Sequence, residues 1–158
     1  MSRTSDPALR GTLLGTLLRL VNRFLRWLLT SPVHWPWSRW FAVLSWTGRK
    51  SGRNYSTPVS YVREGGTAYV TTGDKWWQNV IDGAPVTMRI AGRSYSATAV
   101  AVTDEEQSRA EHGRLFREHW WFRFLAGIPR GKGGGPDPSA VARAIAAGRV
   151  LVRVDGLD

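Results

Sequence analysis

The sequence of 158 residues contains no cysteine and only two methionines. The absence of cysteine excludes disulfide bonds, cysteine nucleophiles and thiolate metal ligands. The three histidines, His34, His112 and His119, are far apart and lack the spacing of metal ligands, so we predict no metal site. The length fits one compact domain with a modest hydrophobic core.

Acidic residues are scarce in the first third of the chain. Residues 1–53 contain nine of the 22 basic residues but only one of the 12 acidic residues, Asp6. Residues 54–158 contain the other basic and acidic residues in nearly equal numbers. The formal net charge of +10 is therefore concentrated near the N-terminus. A local positive field of this kind favours anionic lipid, nucleic acid or a phosphorylated ligand as a partner.

The sequence also lacks a long uninterrupted apolar run. Residues 8–29 repeat leucine and phenylalanine at steps of three and four, which predicts an amphipathic helix. Arginines interrupt this segment, whereas a transmembrane span needs roughly 20 mainly apolar residues. No cleavage site for a signal peptide follows. Because the basic residues accompany this helix and not a strand face, we expect no nucleic-acid partner.

The N-terminal residues 1–39 are therefore predicted to form a basic amphipathic helix and an aromatic linker on an anionic membrane surface. The tryptophans of residues 34–40 suit the headgroup level of a bilayer. This interpretation implies a cytoplasmic protein, peripheral at the inner face of the cell membrane. The alternative is a helix that packs on the rest of its own chain, residues 40–158.

The remainder of the chain shows the periodicity of short strands, followed by helices. A short helical piece is predicted near residues 75–82, a helix capped by Thr103 that runs to about residue 125, and an alanine-rich helix that begins at Asp137 and Pro138. This order predicts a mainly β fold with helices, a small barrel. The predicted strands are 40–47, 56–63, 67–72, 85–91, 93–102 and 149–154.

Residues 47–53 (TGRKSGR) form the densest cluster of charged and flexible residues. The two glycines allow the backbone to approach a ligand closely, while Arg49, Lys50 and Arg53 supply positive charge. Ser51 adds a hydroxyl group, so the loop is suited to a phosphate. The alternative is a solvated basic turn between two strands. The spacing of glycine and lysine excludes a P-loop.

Nine tryptophans are many for this length, and tryptophan suits cores, interfaces and ligand pockets alike. In the aromatic segment 120–124, Trp120 and Phe122 are candidates for covering the substrate side of a bound ring. Packing of the segment against the barrel is the favoured alternative.

Several of these segments resemble, in order, the deazaflavin (coenzyme F-420)-dependent nitroreductase family. The resemblance rests on residues 47–52, on 56–59 (STPV), on 76–80 (WWQNV) and on 84–93 (APVTMRIAGR). It covers roughly residues 40–125 and extends to the last strand. It implies a split β-barrel of the FMN-binding type, often a homodimer, that binds deazaflavin or, in relatives, FMN.

The resemblance also implies which residues face the cofactor. The basic loop faces the anionic tail, and the later segments line the ring. The chain has a shortened loop before the tryptophans, which is expected to bring Asp74 near the anionic ligand. The residues assigned to the cofactor are Arg49, Lys50, Ser51, Arg53, Tyr55, Ser56, Thr57, Pro58, Val59, Thr71, Thr72, Trp76, Trp77 and Asn79.

The function implied is a deazaflavin-dependent oxidoreductase that transfers hydride to a small-molecule acceptor of the quinone or nitroaromatic type. Such chemistry belongs to the cofactor, so the protein needs no nucleophile and base of its own. The alternative keeps the fold and changes the role: a non-catalytic protein that binds FMN, haem or a lipid.

Overall fold

The structure is a computed structural model, and it describes residues 39–158 together with Arg23 in the N-terminal third. The rest of the predicted helix over 8–29 and residues 34–38 lie outside the described residues. The division at residue 39 therefore stays a prediction. Across residues 39–158 there is no helix long and apolar enough to cross a bilayer.

Six antiparallel strands close into a barrel in the order β1-β2-β3-β6-β5-β4, with β4 paired back onto β1. This confirms the prediction of a split β-barrel with helices, and each predicted strand is present within two residues of its expected ends. The strands are β1 Phe41–Thr47, β2 Asn54–Glu64, β3 Thr67–Thr72, β4 Ala84–Ile90, β5 Arg93–Val102 and β6 Val150–Asp155.

The tight connections follow from the turn residues in the sequence. In the β4–β5 hairpin, Ile90 pairs with Arg93, which leaves Ala91 and Gly92 as the turn. Both have positive φ, 50° and 81°, as a two-residue hairpin turn of the primed type requires. The turn therefore fixes the register in which β4 and β5 pair.

The barrel interior is filled from alternate positions of the strands, as period-two patterning demands. In β4, the residues Val86, Met88 and Ile90 are buried, while Thr87 and Arg89 between them are exposed. The inward residues of β5 and β6 continue this core, which also takes in the last residues of the chain. The members from these two strands and the C-terminus are Ala97, Ala99, Ala101, Val152, Val154 and Leu157.

Three helices cover the outer face of the barrel. They are α1 Glu105–Glu118, α2 Trp120–Leu125 and α3 Pro138–Ala146. A 3₁₀ helix, Lys75–Val80, connects β3 to β4. The helices form a second apolar cluster with the outward side chains Val62 and Leu151 of the barrel. Its other buried members are Leu115, Phe116, Phe122, Ile128, Ala140 and Val141.

The prediction of one continuous helix to residue 125 is wrong. The chain leaves helical geometry at His119, with φ −124° and ψ 86°, and α2 starts afresh. The break turns Phe122 onto Phe116, with ring centroids 5.6 Å apart. Residues six apart lie on different faces of a continuous helix, so burial of both rings in one cluster requires the break.

The predicted cap of α1 is displaced by one residue. Asp104, and not Thr103, occupies the N-cap, and its carboxylate accepts a hydrogen bond of 2.7 Å from the N–H of Gln107. Aspartate is among the strongest N-cap residues and its charge also interacts favourably with the helix dipole.

Candidate functional site

The basic loop is a closed turn of residues 48–53 between β1 and β2. The N–H of Gly48 donates to the carbonyl of Arg53 at 2.7 Å, and the N–H of Gly52 donates to the carbonyl of Gly48 at 3.0 Å. Gly52 has φ of 67°, a conformation that favours glycine. The side chains of the loop are thus held on a short, internally hydrogen-bonded backbone.

Gly48 is required for a different reason, the close approach of a side chain. A Cβ atom at this position would lie 2.5 Å from Ser51 Oγ and 2.7 Å from the ring of Tyr55. The hydroxyl groups of Ser51 and Tyr55 are 3.1 Å apart and hydrogen-bonded. The absence of a side chain at Gly48 allows the Tyr55 ring to lie against the loop.

Asn79 joins the loop to the 3₁₀ helix. Its Oδ1 accepts a hydrogen bond of 2.9 Å from the backbone N–H of Arg49, and its Nδ2 donates to the carbonyl of Trp76 at 2.9 Å. Both ends of the amide are engaged. Asn79 therefore fixes the position of the cationic loop relative to the tryptophans of the 3₁₀ helix.

Three aromatic rings form a stack next to this loop. Trp46, near the end of β1, stacks on Tyr55 at 6.0 Å on one side and on Trp76 at 5.1 Å on the other, with interplanar angles of 22° and 29°. The indole Nε1 of Trp46 is buried and has no hydrogen-bond partner within the described part of the chain. A buried donor without an acceptor is costly, which makes Trp46 a position where an added acceptor would be favourable.

The loop, the aromatic stack and the 3₁₀ helix surround one groove with a volume of about 810 Å³. A smaller cavity of about 340 Å³ adjoins it and shares Gly48, Arg49 and Asn79 with it. Residues that line the groove are Trp46, Gly48, Arg49, Lys50, Ser51, Tyr55, Trp76, Trp77, Gln78, Asn79 and Ile81.

The cations at the rim of the groove are available to a ligand. Arg49 faces Asp82 at 3.6 Å, and both side chains are exposed, so this pair contributes little to stability. Among residues 39–158, Lys50 has neither an ion pair nor a hydrogen bond from its side chain. The groove therefore combines stacked aromatic side chains with two cations and the hydroxyl groups of Ser51 and Tyr55, the features that a planar ring with an anionic tail requires.

A second polar cluster lies behind the end of β3. His112 on α1 is fully buried, and its Nδ1 donates to the carbonyl of Ser108 at 2.9 Å. Its Nε2 accepts from the hydroxyl of Thr71 at 2.9 Å, and Thr71 Oγ1 in turn accepts from Arg149 at 3.3 Å. Burial lowers the pKa of His112 to about 4, so its imidazole is neutral at physiological pH.

Asp74 does not line the groove, although the shortened loop was expected to bring it near the ligand. Its backbone N–H donates to Thr72 Oγ1 at 3.1 Å. Burial lowers the pKa of Arg149, and the negative charge of Asp74 partly offsets this effect. The carboxylate of Asp74 thus favours the charged form of Arg149.

A family comparison identifies the chain from more than half of its length. Residues 29–120 match the model of the family described as F420H(2)-dependent quinone reductase. The chain belongs to this quinone reductase family. The predicted resemblance to deazaflavin-dependent reductases is confirmed, and with it coenzyme F-420 as the cofactor and deazaflavin-dependent reduction as the activity of the family.

Solved structures similar to this protein include one described as an F420-H2 dependent reductase (FDR-A). It is 20% identical, and the match covers 74% of this chain and 95% of that chain with a TM-score of 0.45. General stress protein 26 from Bacillus anthracis is 18% identical. The match covers 78% of this chain and 89% of that protein, with a TM-score of 0.46. The haem storage protein HutZ from Vibrio cholerae is 14% identical. The match covers 80% of this chain and 89% of that protein, with a TM-score of 0.47. No curated protein matches the chain.

The groove brings together half of the residues assigned to the cofactor from the sequence. Those that line it are Arg49, Lys50, Ser51, Tyr55, Trp76, Trp77 and Asn79. The other predicted residues do not line it: Arg53, Ser56, Thr57, Pro58, Val59, Thr71 and Thr72. Val59 lies in the barrel core and the two threonines are buried at the end of β3.

The two candidate substrate residues lie apart from the groove lining. Trp120 is 68% exposed on α2, and Phe122 is fully buried in the helical cluster. Sequence reasoning missed Trp46, which precedes the TGRKSGR segment by one residue. Its signal was a large aromatic side chain at the end of a strand, directly before a cationic loop.

Proposed function

We propose that this protein binds coenzyme F-420 in the groove between the TGRKSGR loop and the Trp46–Trp76 stack, and that it reduces a quinone-type acceptor there. When bound, the reduced cofactor would supply a hydride, and with a proton from solvent a quinone acceptor would leave as the hydroquinone. One observation carries the proposal: cations, hydroxyl groups and stacked aromatic side chains surround one groove of about 810 Å³.

The aromatic side chains are proposed to hold and shield the planar part of the cofactor. Trp76 and Tyr55 are partly exposed and flank Trp46, so they offer apolar surface without a large reorganisation. Ring-to-ring packing contributes beyond the burial of area alone. Trp77 and Ile81 extend the apolar lining, which would limit the access of water to the reacting atoms.

The loop residues are proposed to hold the phosphate and the carboxylate tail. Arg49 and Lys50 lie next to each other at the rim, and Ser51 adds a hydroxyl donor. Asn79 keeps the backbone of Arg49 in place through its hydrogen bond of 2.9 Å. Because Arg49 contacts only the exposed Asp82 among the described carboxylates, it can change partner at little cost.

The double variant Arg49→Ala/Lys50→Ala tests the proposal. Each charge-assisted contact contributes about 1.5–3 kcal/mol, so the dissociation constant for coenzyme F-420 should rise by about a hundredfold or more. The measurement is a fluorescence titration of the full chain with the cofactor, followed by oxidation of the reduced cofactor with menadione.

The control is Lys132→Ala/Arg143→Ala, which removes the same charge from residues outside the groove and should leave the affinity unchanged. An equal loss of affinity for coenzyme F-420 in both double variants would mean that binding depends on the net charge of the protein and not on Arg49 and Lys50. Preferred binding of FMN by the parent protein would overturn the cofactor assignment at this groove.

We also propose that residues 1–39 attach the protein to the anionic inner face of the cell membrane, while residues 40–158 hold the cofactor. The support is the concentration of arginine in residues 1–39 and the apolar stripe of residues 8–29. Attachment would bring the groove near quinones dissolved in the bilayer. Binding of the full chain to anionic vesicles, lost at high salt or on removal of residues 1–38, tests this part.

A further inference from the structure

The short helix α2 exposes large apolar side chains on the surface of the molecule. Trp120 is 68% exposed, Phe124 is 72% exposed and Leu125 is 44% exposed. Trp120 and Phe124 are four residues apart, so they lie on the same face of the helix. Large apolar side chains that cluster on a surface mark an interaction site more often than scattered ones do.

The base of this helix is fixed, so the exposed side chains are presented from a defined position. Phe122 points into the helical cluster and is fully buried. The guanidinium of Arg123 donates to the carbonyl of Ile128 at 2.9 Å. The backbone N–H of Ala126 closes the helix on the carbonyl of Phe122 at 3.1 Å. Exposure of Trp120 and Phe124 is therefore a consequence of the packing of their neighbours.

The same helix lies where the basic N-terminal segment joins the barrel. The ring of Trp121 is 6.4 Å from the ring of Trp40, the residue that immediately follows the segment 1–39. That segment carries six arginines against one acidic residue. The apolar aromatic surface of α2 thus lies beside the point where a strongly cationic segment joins the barrel, and anionic bilayers attract this combination.

We propose that α2 is a membrane-contact element, in which Trp120, Phe124 and Leu125 enter the interfacial layer of an anionic bilayer beside residues 1–39. The inference rests on the proposed membrane attachment of the N-terminal segment and assigns the part of the folded domain that meets the lipid. Two contacts, one cationic and one aromatic on a rigid base, would fix the orientation of the barrel on the membrane.

The test is co-sedimentation of the full chain with vesicles of phosphatidylcholine and phosphatidylglycerol, compared with phosphatidylcholine alone. The variant Trp120→Ser/Phe124→Ser should bind anionic vesicles about tenfold or more weakly, because two large apolar side chains no longer leave water. The exchange variant Trp120→Phe/Phe124→Trp should retain binding. Tyr55→Ser, which removes an exposed aromatic side chain from the cofactor groove, should also retain it.

A serine variant that binds anionic vesicles as strongly as the parent overturns the proposal, since the N-terminal segment then acts alone. Unchanged vesicle binding with loss of self-association would assign the helix to an interface between two copies. Failure of the parent to bind vesicles also overturns it. Titration with coenzyme F-420 is carried out on the same samples, so a failure at the cofactor groove is recognised separately from a failure at the membrane.

Discussion

At the scale of single residues, His112 illustrates how burial sets protonation. Its imidazole lies among Thr71, Ser108 and Phe116 with no exposed surface, and desolvation disfavours the charged form. The positive charge of Arg149 lowers the pKa further, while the hydrogen bond to the carbonyl of Ser108 raises it. The first of these effects is the largest, so the folded state holds a neutral histidine.

The buried, neutral His112 predicts that the free energy of unfolding depends on pH. The pKa of His112 is about 4 in the folded state and about 6.5 in an unfolded chain. Between these values the unfolded chain takes up a proton that the folded protein does not, so the free energy of unfolding falls as the pH drops from 6.5 to 4. The loss from this group amounts to about 3 kcal/mol.

Urea unfolding of the parent and of His112→Gln at several pH values between 4 and 7.5 measures this contribution. The variant should have a flatter profile, whatever its stability at neutral pH. A slope that persists in His112→Gln would assign the effect to carboxylates.

At the scale of secondary-structure elements, α1 depends on its N-cap. Asp104 accepts the hydrogen bond from Gln107, whereas Thr103 lies between the end of β5 and the N-cap. We expect Asp104→Ala to lower the free energy of unfolding by about 1 kcal/mol, and Thr103→Ala to change it by much less. Thermal unfolding of both variants distinguishes the two candidate caps, and the reverse order would restore the threonine as the cap.

The strands were predictable because their side chains alternate between core and solvent, as in Val86, Thr87 and Met88. The break at His119 was not. The segment that follows His119, residues 120–124, has aromatic residues on nearly every face. Periodicity alone therefore does not indicate which ring is buried. Phe122 turns inward because Phe116 and Ile128 complete its packing, and those contacts exist only once the helices lie on the barrel.

The candidate site, too, was only partly predictable from the sequence. Residues 49–51 and 76–79 meet at one groove because Asn79 bonds to Arg49 across a separation of thirty residues, and the family resemblance supplied both segments. The resemblance did not supply the burial of Thr71 and Thr72, because their burial depends on contacts with His112 and with the chain at Asp74. Trp46 was missed because a ring that ends a strand has no distinctive spacing.

At the scale of the whole molecule, residues 156 and 157 join the barrel core to the turn between β2 and β3. Leu157 is fully buried in the barrel core, and the N–H groups of Gly156 and Leu157 donate to the carbonyl of Gly66 at 3.1 and 2.9 Å. Arg63 also donates to the carbonyl of Leu157. Residues 156 and 157 are therefore tied to the barrel, and Leu157 is part of its core.

We expect Leu157→Ala to reduce the free energy of unfolding by about 2–5 kcal/mol, the range for loss of a buried leucine side chain. Leu125→Ala removes the same atoms from a position that is 44% exposed and should cost much less. Chemical unfolding of the two variants makes the comparison. Similar costs would show that Leu157 does not complete the core.

The place of β6 between β3 and β5 has a consequence for synthesis on the ribosome. The segments that form the groove are translated before β6, the strand that joins β3 to β5. Until β6 has paired, β3 and β5 each present an unpaired edge to other nascent chains. A stop codon before residue 150 would therefore yield an open sheet that is prone to aggregate.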